Sequence, residues 1–211
     1  MTSAASGPAD PAAVPPTGEA RIEPCLSGDD LAALAPHPGI DMFRPSAKQH
    51  QALVGIARDP QSCVSVGVDA GSMVAYAAFH PPSDVESWGE DRTGRIIELG
   101  AVEVAPPYRG QHLAERLLAA SFGHGRFEDT VVFATMYVWH YDLKRTGLND
   151  FAYKRLLERL YRSAGFVPFP TADAEVRSSA ANQLMARVGS RADPAVVEEF
   201  HRLRTRPRFF G

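Results

Sequence analysis

Where a strand-like run ends, the chain carries an arginine, a glycine and the start of a helix. Val104 to Phe122 reads VAPPYRGQHLAERLLAASF. Two prolines break the extended run. Leu113, Ala114, Leu117, Leu118 and Phe122 then form one apolar stripe at helical spacing, enough to anchor a helix on a sheet. The first four N–H groups of such a helix have no internal acceptor, and its peptide dipoles make that end electropositive. Gly110 lets an anion approach the main chain closely. Arg109 adds a guanidinium whose fork matches phosphate oxygens. The turn is therefore suited to holding a pyrophosphate.

The surrounding pattern supplies the elements that must hold this turn. Short helices are expected over residues 28–35 and 46–59, with Ser46 as the N-cap of the second. CVSVGVD (63–69) and MVAYAAFH (73–80) alternate like the two arms of a hairpin. A polar loop spans 81–94. The β-branched run 95–105 leads into the helix, which is expected from about Gln111 to Gly123. A second buried strand covers 130–139, and a helix follows over 149–165, with Asn149 as N-cap and Gly165 as its stop. FVPF and 182–189 read as final strands, and 194–205 as a last helix with Pro194 in its first turn. A hairpin followed by strand–helix–strand–helix–strand implies an α/β (α+β) fold, with parallel and antiparallel pairs in one mixed sheet of about six to seven strands flanked by helices. Residues 1–19, rich in Ala, Pro, Ser and Gly, read as a disordered tail ahead of a single domain over 20–211.

Bulk properties narrow the function. A chain of 211 residues that is 45% hydrophobic buries a sizeable core. A formal charge of −3 gives no electrostatic footprint for nucleic acid. No apolar run reaches the roughly 18 residues of a membrane span, and the first twenty residues do not read as a secretory signal. A cytoplasmic protein is expected, with Cys25 and Cys63, far apart in sequence, as reduced thiols and not a disulfide. The histidines show no ligand spacing, so no metal is expected. The arginines at 202, 204, 206 and 208 read as a solvated helix end, or as contacts to a phosphate or an acidic partner.

Arg109-Gly110-Gln111-His112-Leu113-Ala114 resembles the R/Q-x-x-G-x-G/A signature of the GCN5-related N-acetyltransferases (GNAT), which bind acyl-CoA pyrophosphate there. LYRSAGF (160–166) is similar to the Tyr-x-x-x-Gly-Phe helix end of the same superfamily. His112 departs from it, standing where the superfamily usually has Gly. A side chain fits there while the residue keeps helical angles. Longer phrases, such as IELGAVEVAPPYRG, YVWHYDLKRTGL and SSAANQLMARVG, look like the bacterial acetoin-utilisation branch, whose acetyltransferase modifies a lysine of acetyl-CoA synthetase and switches it off. The resemblance implies a GNAT-like domain, acetyl-CoA as cosubstrate and acetyl-CoA synthetase as protein substrate. An acetyltransferase of small amines and a non-catalytic acyl-CoA sensor are the alternatives, and the oligomeric state, monomer or dimer, stays open.

Acetyl transfer to lysine needs a base, because the free amine has a pKa near 10.4, and the leaving thiolate gains from a proton donor. Glu98 and Glu103 are the base candidates, on opposite faces of an unbulged strand. Glu98 is favoured, since it lies eleven residues before Arg109, like the Glu of histone-acetylating members. Tyr161 is the acid candidate; a core tyrosine is the plainer alternative. Main-chain groups of Val102 and Val104 are expected to meet acetyl and pantetheine, and Arg109, Gly110, Gln111, His112, Leu113 and Ala114 to meet pyrophosphate. The loop 139–150 follows a buried strand, where open α/β sheets bind ligands. His140 and Asp142 are its candidates for acceptor recognition; their plainer readings are a backbone-bonded His and a capping Asp. Phe43-Arg44-Pro45 is placed near the acceptor opening or in a turn leading into a helix.

Overall fold

A computed structural model describes residues 16–84 and 87–206. In chain order the elements are β1 (Arg21–Glu23), α1 (Gly28–Ala32), β2 (Ala35–Pro36), α2 (Ser46–Ala57), β3 (Cys63–Asp69), β4 (Ser72–His80), β5 (Ile96–Val104), α3 (Leu113–Ser121), β6 (Val131–Met136), α4 (Leu143–Thr146), α5 (Asp150–Ser163), β7 (Val167–Phe169), α6 (Ala174–Arg177), β8 (Gln183–Val188) and α7 (Pro194–Thr205). The strands form one mixed eight-stranded sheet in the order β1-β3-β4-β5-β6-β8-β7, with β2 added parallel to β4. Among the described residues only β2–β4 and β5–β6 are parallel pairs. β1 and β2 are too short to show a period in sequence, which is why the sheet exceeds the expected strand number.

Local chemistry accounts for most boundaries. Ala70 and Gly71 both take positive φ, the conformation a tight hairpin between β3 and β4 demands. Asn149 caps α5 by accepting from Ala152 N–H at 2.9 Å, and Gly165 leaves the helix at φ 86°. Asp193 caps α7 ahead of Pro194. Ser46 does not cap α2: Pro45 holds the cap position, and the Ser46 hydroxyl donates to His37 O at 3.1 Å.

A bulge resets the faces of β5. Ala78 pairs with Ala101 but Phe79 with Leu99, so Gly100 is an extra residue on β5. A Cβ at Gly100 would collide with the His80 ring. The extra residue corrects the opposite-face expectation: Glu98 and Glu103, opposite His80 and Tyr76, share one face. α2 packs on this face, where the Gln49 amide donates to the Tyr76 hydroxyl at 3.0 Å, and so does α7, whose Phe200 joins Ile96, Phe133 and Trp88 in one cluster. α3 covers the other face, with Leu113 against Gly67 of β3, and α5 packs beside α3.

Two ends of the chain correct the sequence reading. Residues 1–15 of the expected tail lie outside the described residues, but Thr17 is already tied down, its N–H 2.8 Å from Asp69 Oδ2. Cys25 and Cys63 form a disulfide, contrary to the expected free thiols. Their separation of 38 residues hid it; the antiparallel register of β1 on β3, with Glu23 opposite Val66, carries Cys25 to the start of β3. Arg202, Arg204 and Arg206 bond to Glu199, to His201 and Pro170 O, and to Glu90, on the face away from α3; Arg208 lies outside the described residues.

Candidate active site

β5 and β6 are paired only from Ile96↔Val131 to Glu98↔Phe133, although both strands run on. Beyond that point they part, and a cleft of about 560 Å³ opens between them. Its walls come from both faces of the sheet: His112, Leu113, Ala114, Leu160 and Tyr161 from the α3–α5 side, and Met42, Phe43 and His140 from the side of Glu103. The cleft is thus a slot through the sheet. Ala105 N–H donates to Val74 O at 2.9 Å, so the strand's alternation turns the N–H and C=O groups of Val102 and Val104 away from β4 and toward the slot.

At the α3 end of the slot, main-chain donors converge. Arg109 N–H bonds to Pro106 O; among the described residues the next N–H to meet a main-chain acceptor with good geometry is that of Arg116, on His112 O. The N–H groups between them are left for a ligand, which fits the family's pyrophosphate. The helix begins at Leu113, not Gln111, because His112 takes left-handed angles, φ 54° and ψ 23°. This corrects the expectation of helical angles and explains the glycine of the superfamily signature: a Cβ-free residue adopts this conformation without steric cost. The His112 ring is exposed, 3.4 Å from Glu115. The Gln111 amide turns back toward Pro107 O. Tyr108 braces the turn from below, its hydroxyl donating to Asp69 at 2.7 Å.

Arg109 does not point freely at the donor site. Its Nη2 lies 2.7 Å from Asp142 Oδ2 and its Nε donates to Val104 O at 3.1 Å. Asp142 is buried on the wall of the slot and bound to Arg109, and its side chain does not cap α4. It fastens the loop after β6 to the end of β5. Arg145 continues the chain of charge, 4.0 Å from Asp142 and 2.7 Å from Asp41. Asp41 and Arg145 carried no sequence signal, because their partnership spans two loops far apart in the chain.

Of the two base candidates, Glu103 lines the slot and Glu98 does not. Glu103 is 5% exposed; its Oε1 accepts Met42 N–H at 2.8 Å, and its buried Oε2 has no hydrogen-bond partner among the described residues. Burial pushes its pKa up, opposed in part by the Met42 N–H and the neighbouring Tyr76 hydroxyl. Tyr161 also lines the slot, from the α5 side, and burial pushes its phenol far above the ordinary range, so it stays protonated. His140 is exposed at the mouth, its ring 5.4 Å from Phe43 edge-on, and partial desolvation lowers its pKa. Lys154 points away, donating to Ala180 O at 2.9 Å.

A mixed sheet split between two strands, with bare amides heading the next helix, is the architecture of a coenzyme-dependent acyltransferase, and the chain belongs to the acetyltransferase (GNAT) family, whose signature matches residues 31–139. Within it, the chain is 37% identical over 193 residues to acetoin utilization protein AcuA of Bacillus subtilis (strain 168), covering 92% of each. The AcuA of Bacillus licheniformis is 37% identical over 192 residues and 91% of each chain. The crystal structure of an acetoin utilization protein from Exiguobacterium sibiricum 255-15 superposes with a TM-score of 0.87 at 37% identity, over 89% of each chain. The protein is an N-acetyltransferase of the AcuA type.

Proposed function

We propose that this protein is a cytoplasmic lysine N-acetyltransferase that takes the acetyl group of acetyl-CoA to a lysine of acetyl-CoA synthetase and inactivates it. The observation that carries the chemistry is the buried Glu103 carboxylate, one oxygen unpartnered, on the wall of a slot that also reaches the bare amides at the head of α3. Acetyl-CoA supplies an activated thioester. Gly110 to Ala114 hold its pyrophosphate on main-chain N–H groups. Val102 and Val104 offer strand amides to the pantetheine and to the acetyl oxygen as charge builds there. Glu103 removes the proton from the acceptor ammonium, and the freed amine forms the new N–C bond. The C–S bond breaks; Tyr161, kept protonated by its surroundings, gives a proton to the departing sulfur and is restored by the second proton that the nitrogen releases as it becomes the amide. Glu98, four register positions down the same face, is left outside this chemistry.

A protein acceptor is supported by the mouth of the slot on the Glu103 side. It is rimmed by exposed Phe43 and His140, with exposed Trp139 beside them, rather than closed into a pocket. The acetoin-utilisation naming of the relatives supports a place in two-carbon metabolism. The test is transfer of labelled acetyl from acetyl-CoA to purified acetyl-CoA synthetase, followed by assay of the synthetase. Label on one lysine and lost synthetase activity are expected. Label on small amines alone would replace the protein acceptor by a metabolite; coenzyme binding with no transfer to any amine would leave an acyl-CoA sensor.

A further inference from the structure

Two large aromatic side chains stand exposed beside the slot on the Glu103 side: Phe43, 37% exposed, lines it, and Trp139, 55% exposed, lies one ring outward of the lining Tyr137. They are not scattered. Trp139 stacks on Tyr137 at 4.4 Å between ring centroids and 14° between planes. His140 meets Tyr137 edge-on at 6.0 Å and Phe43 at 5.4 Å. The four rings thus form a continuous rim built from two loops. Both loops are held rigidly. Met42 N–H bonds to Glu103, Asp41 to Arg145, Arg109 to Asp142, and Val138 N–H to Asn182 Oδ1 at 2.8 Å. A rim so braced, with its apolar surface left in water, is a surface kept ready for a ligand group.

The ligand group is defined by what lies behind the rim. The slot continues from Phe43 and His140 to the unpartnered oxygen of Glu103. An occupant therefore presents an apolar stem to aromatic rings and a cationic end to a carboxylate. Ring faces attract an ammonium group before it arrives, and they pack the methylenes once it has passed. His140, held toward its neutral form by burial, does not repel it. A lysine side chain, four methylenes ending in an ammonium, has this form.

We propose that Phe43, Tyr137, Trp139 and His140 form an aromatic clamp that selects a lysine side chain of a protein segment and guides its stem to Glu103. The clamp rests on the lysine-acceptor reading above and names its specificity residues. It sets KM for the acceptor rather than the chemical step.

The probe is a blocked peptide with a single lysine flanked by glycines, assayed at saturating acetyl-CoA. Trp139→Ala and Phe43→Ala are expected to raise its KM about three- to thirtyfold, the range that loss of one cation–aromatic contact gives. Trp139→Phe is expected to recover most of that loss. A second measurement needs no variant to be active: Trp88 is buried, so the exposed indole of Trp139 reports the peptide as a change in emission that disappears in Trp139→Phe. An unchanged KM in both alanine variants, or a fall in kcat alone, overturns the clamp while the wild type still acetylates the peptide. A wild type that acetylates small amines but neither the peptide nor the synthetase overturns the lysine reading itself.

Discussion

Burial and hydrogen bonding pull the Glu103 carboxyl in opposite directions, and burial prevails, leaving its pKa above the ordinary value. A base works deprotonated, so activity should rise with pH through this raised pKa. Glu103→Gln is expected to lower kcat/KM by about a hundredfold or more and to remove that acid limb, whereas Glu98→Gln leaves the profile in place; a pH series of initial rates distinguishes them. Stability runs the other way. A carboxyl whose folded pKa lies above its unfolded pKa stabilises the fold while neutral, and the contribution is lost as pH rises through the folded value. Glu103→Gln should therefore be more resistant to urea than the wild type at neutral pH, and no more resistant in mild acid. A variant with unchanged activity and pH profile would remove Glu103 as the base, and one less stable than the wild type at neutral pH would show that burial of the charge is not what its fold must overcome. In sequence the two glutamates looked alike, and strand alternation separated them onto the wrong faces. The inserted Gly100 brings both to one face, and what separates them is the parting of β5 from β6: Glu98 is still paired with Phe133, and Glu103 lies beyond the split, a register that only the folded sheet displays.

At the scale of elements, the long periodic segments were legible: β3, β4, β5, β6, α5 and α7 lie within a residue or two of their expected spans, except that β6 ends at Met136. Their patterns are set by burial, on both faces of β3, β4 and β6 and along one stripe of α5 and α7, which marks each as a continuous or periodic apolar run. What was not legible depends on partners distant in sequence: β1 and β2, the Arg109–Asp142–Arg145–Asp41 chain, and the disulfide. The head of α3 mixes both cases, since the motif located it but the left-handed angles of His112 did not follow from residue type. That conformation costs an L-residue about 1–2 kcal/mol, against roughly 0.5–1 kcal/mol of extra chain entropy for a glycine. His112→Gly is expected to stabilise the protein by up to about 1 kcal/mol and to keep coenzyme affinity, as read by thermal denaturation and titration with CoA. The Cys25–Cys63 bond closes a loop that holds β1 on the edge of the sheet. Cys63→Ser is expected to cost about 2–4 kcal/mol in denaturant unfolding under non-reducing conditions. Reductant should bring the wild type down toward the variant; equal stability of the two without reductant would mean that the thiols are free in solution.

The molecule as a whole is a sheet with a gap in it, and each half of the gap is furnished from a different face. The amides at the head of α3 lie on one side, Glu103 and the aromatic rim on the other, and the Arg109–Asp142 pair holds the margins together. On the proposed function the two reactants arrive by separate doors and meet inside the wall. Neither has to leave before the other enters, and no side chain has to carry the acetyl group between visits; both cysteines are tied to each other away from the gap. Double-reciprocal plots of rate against either reactant should form intersecting lines, and acetyl-CoA alone should leave no acetyl on the protein by mass spectrometry. Parallel lines would require an acetylated side chain on the wall of the gap and would overturn direct transfer.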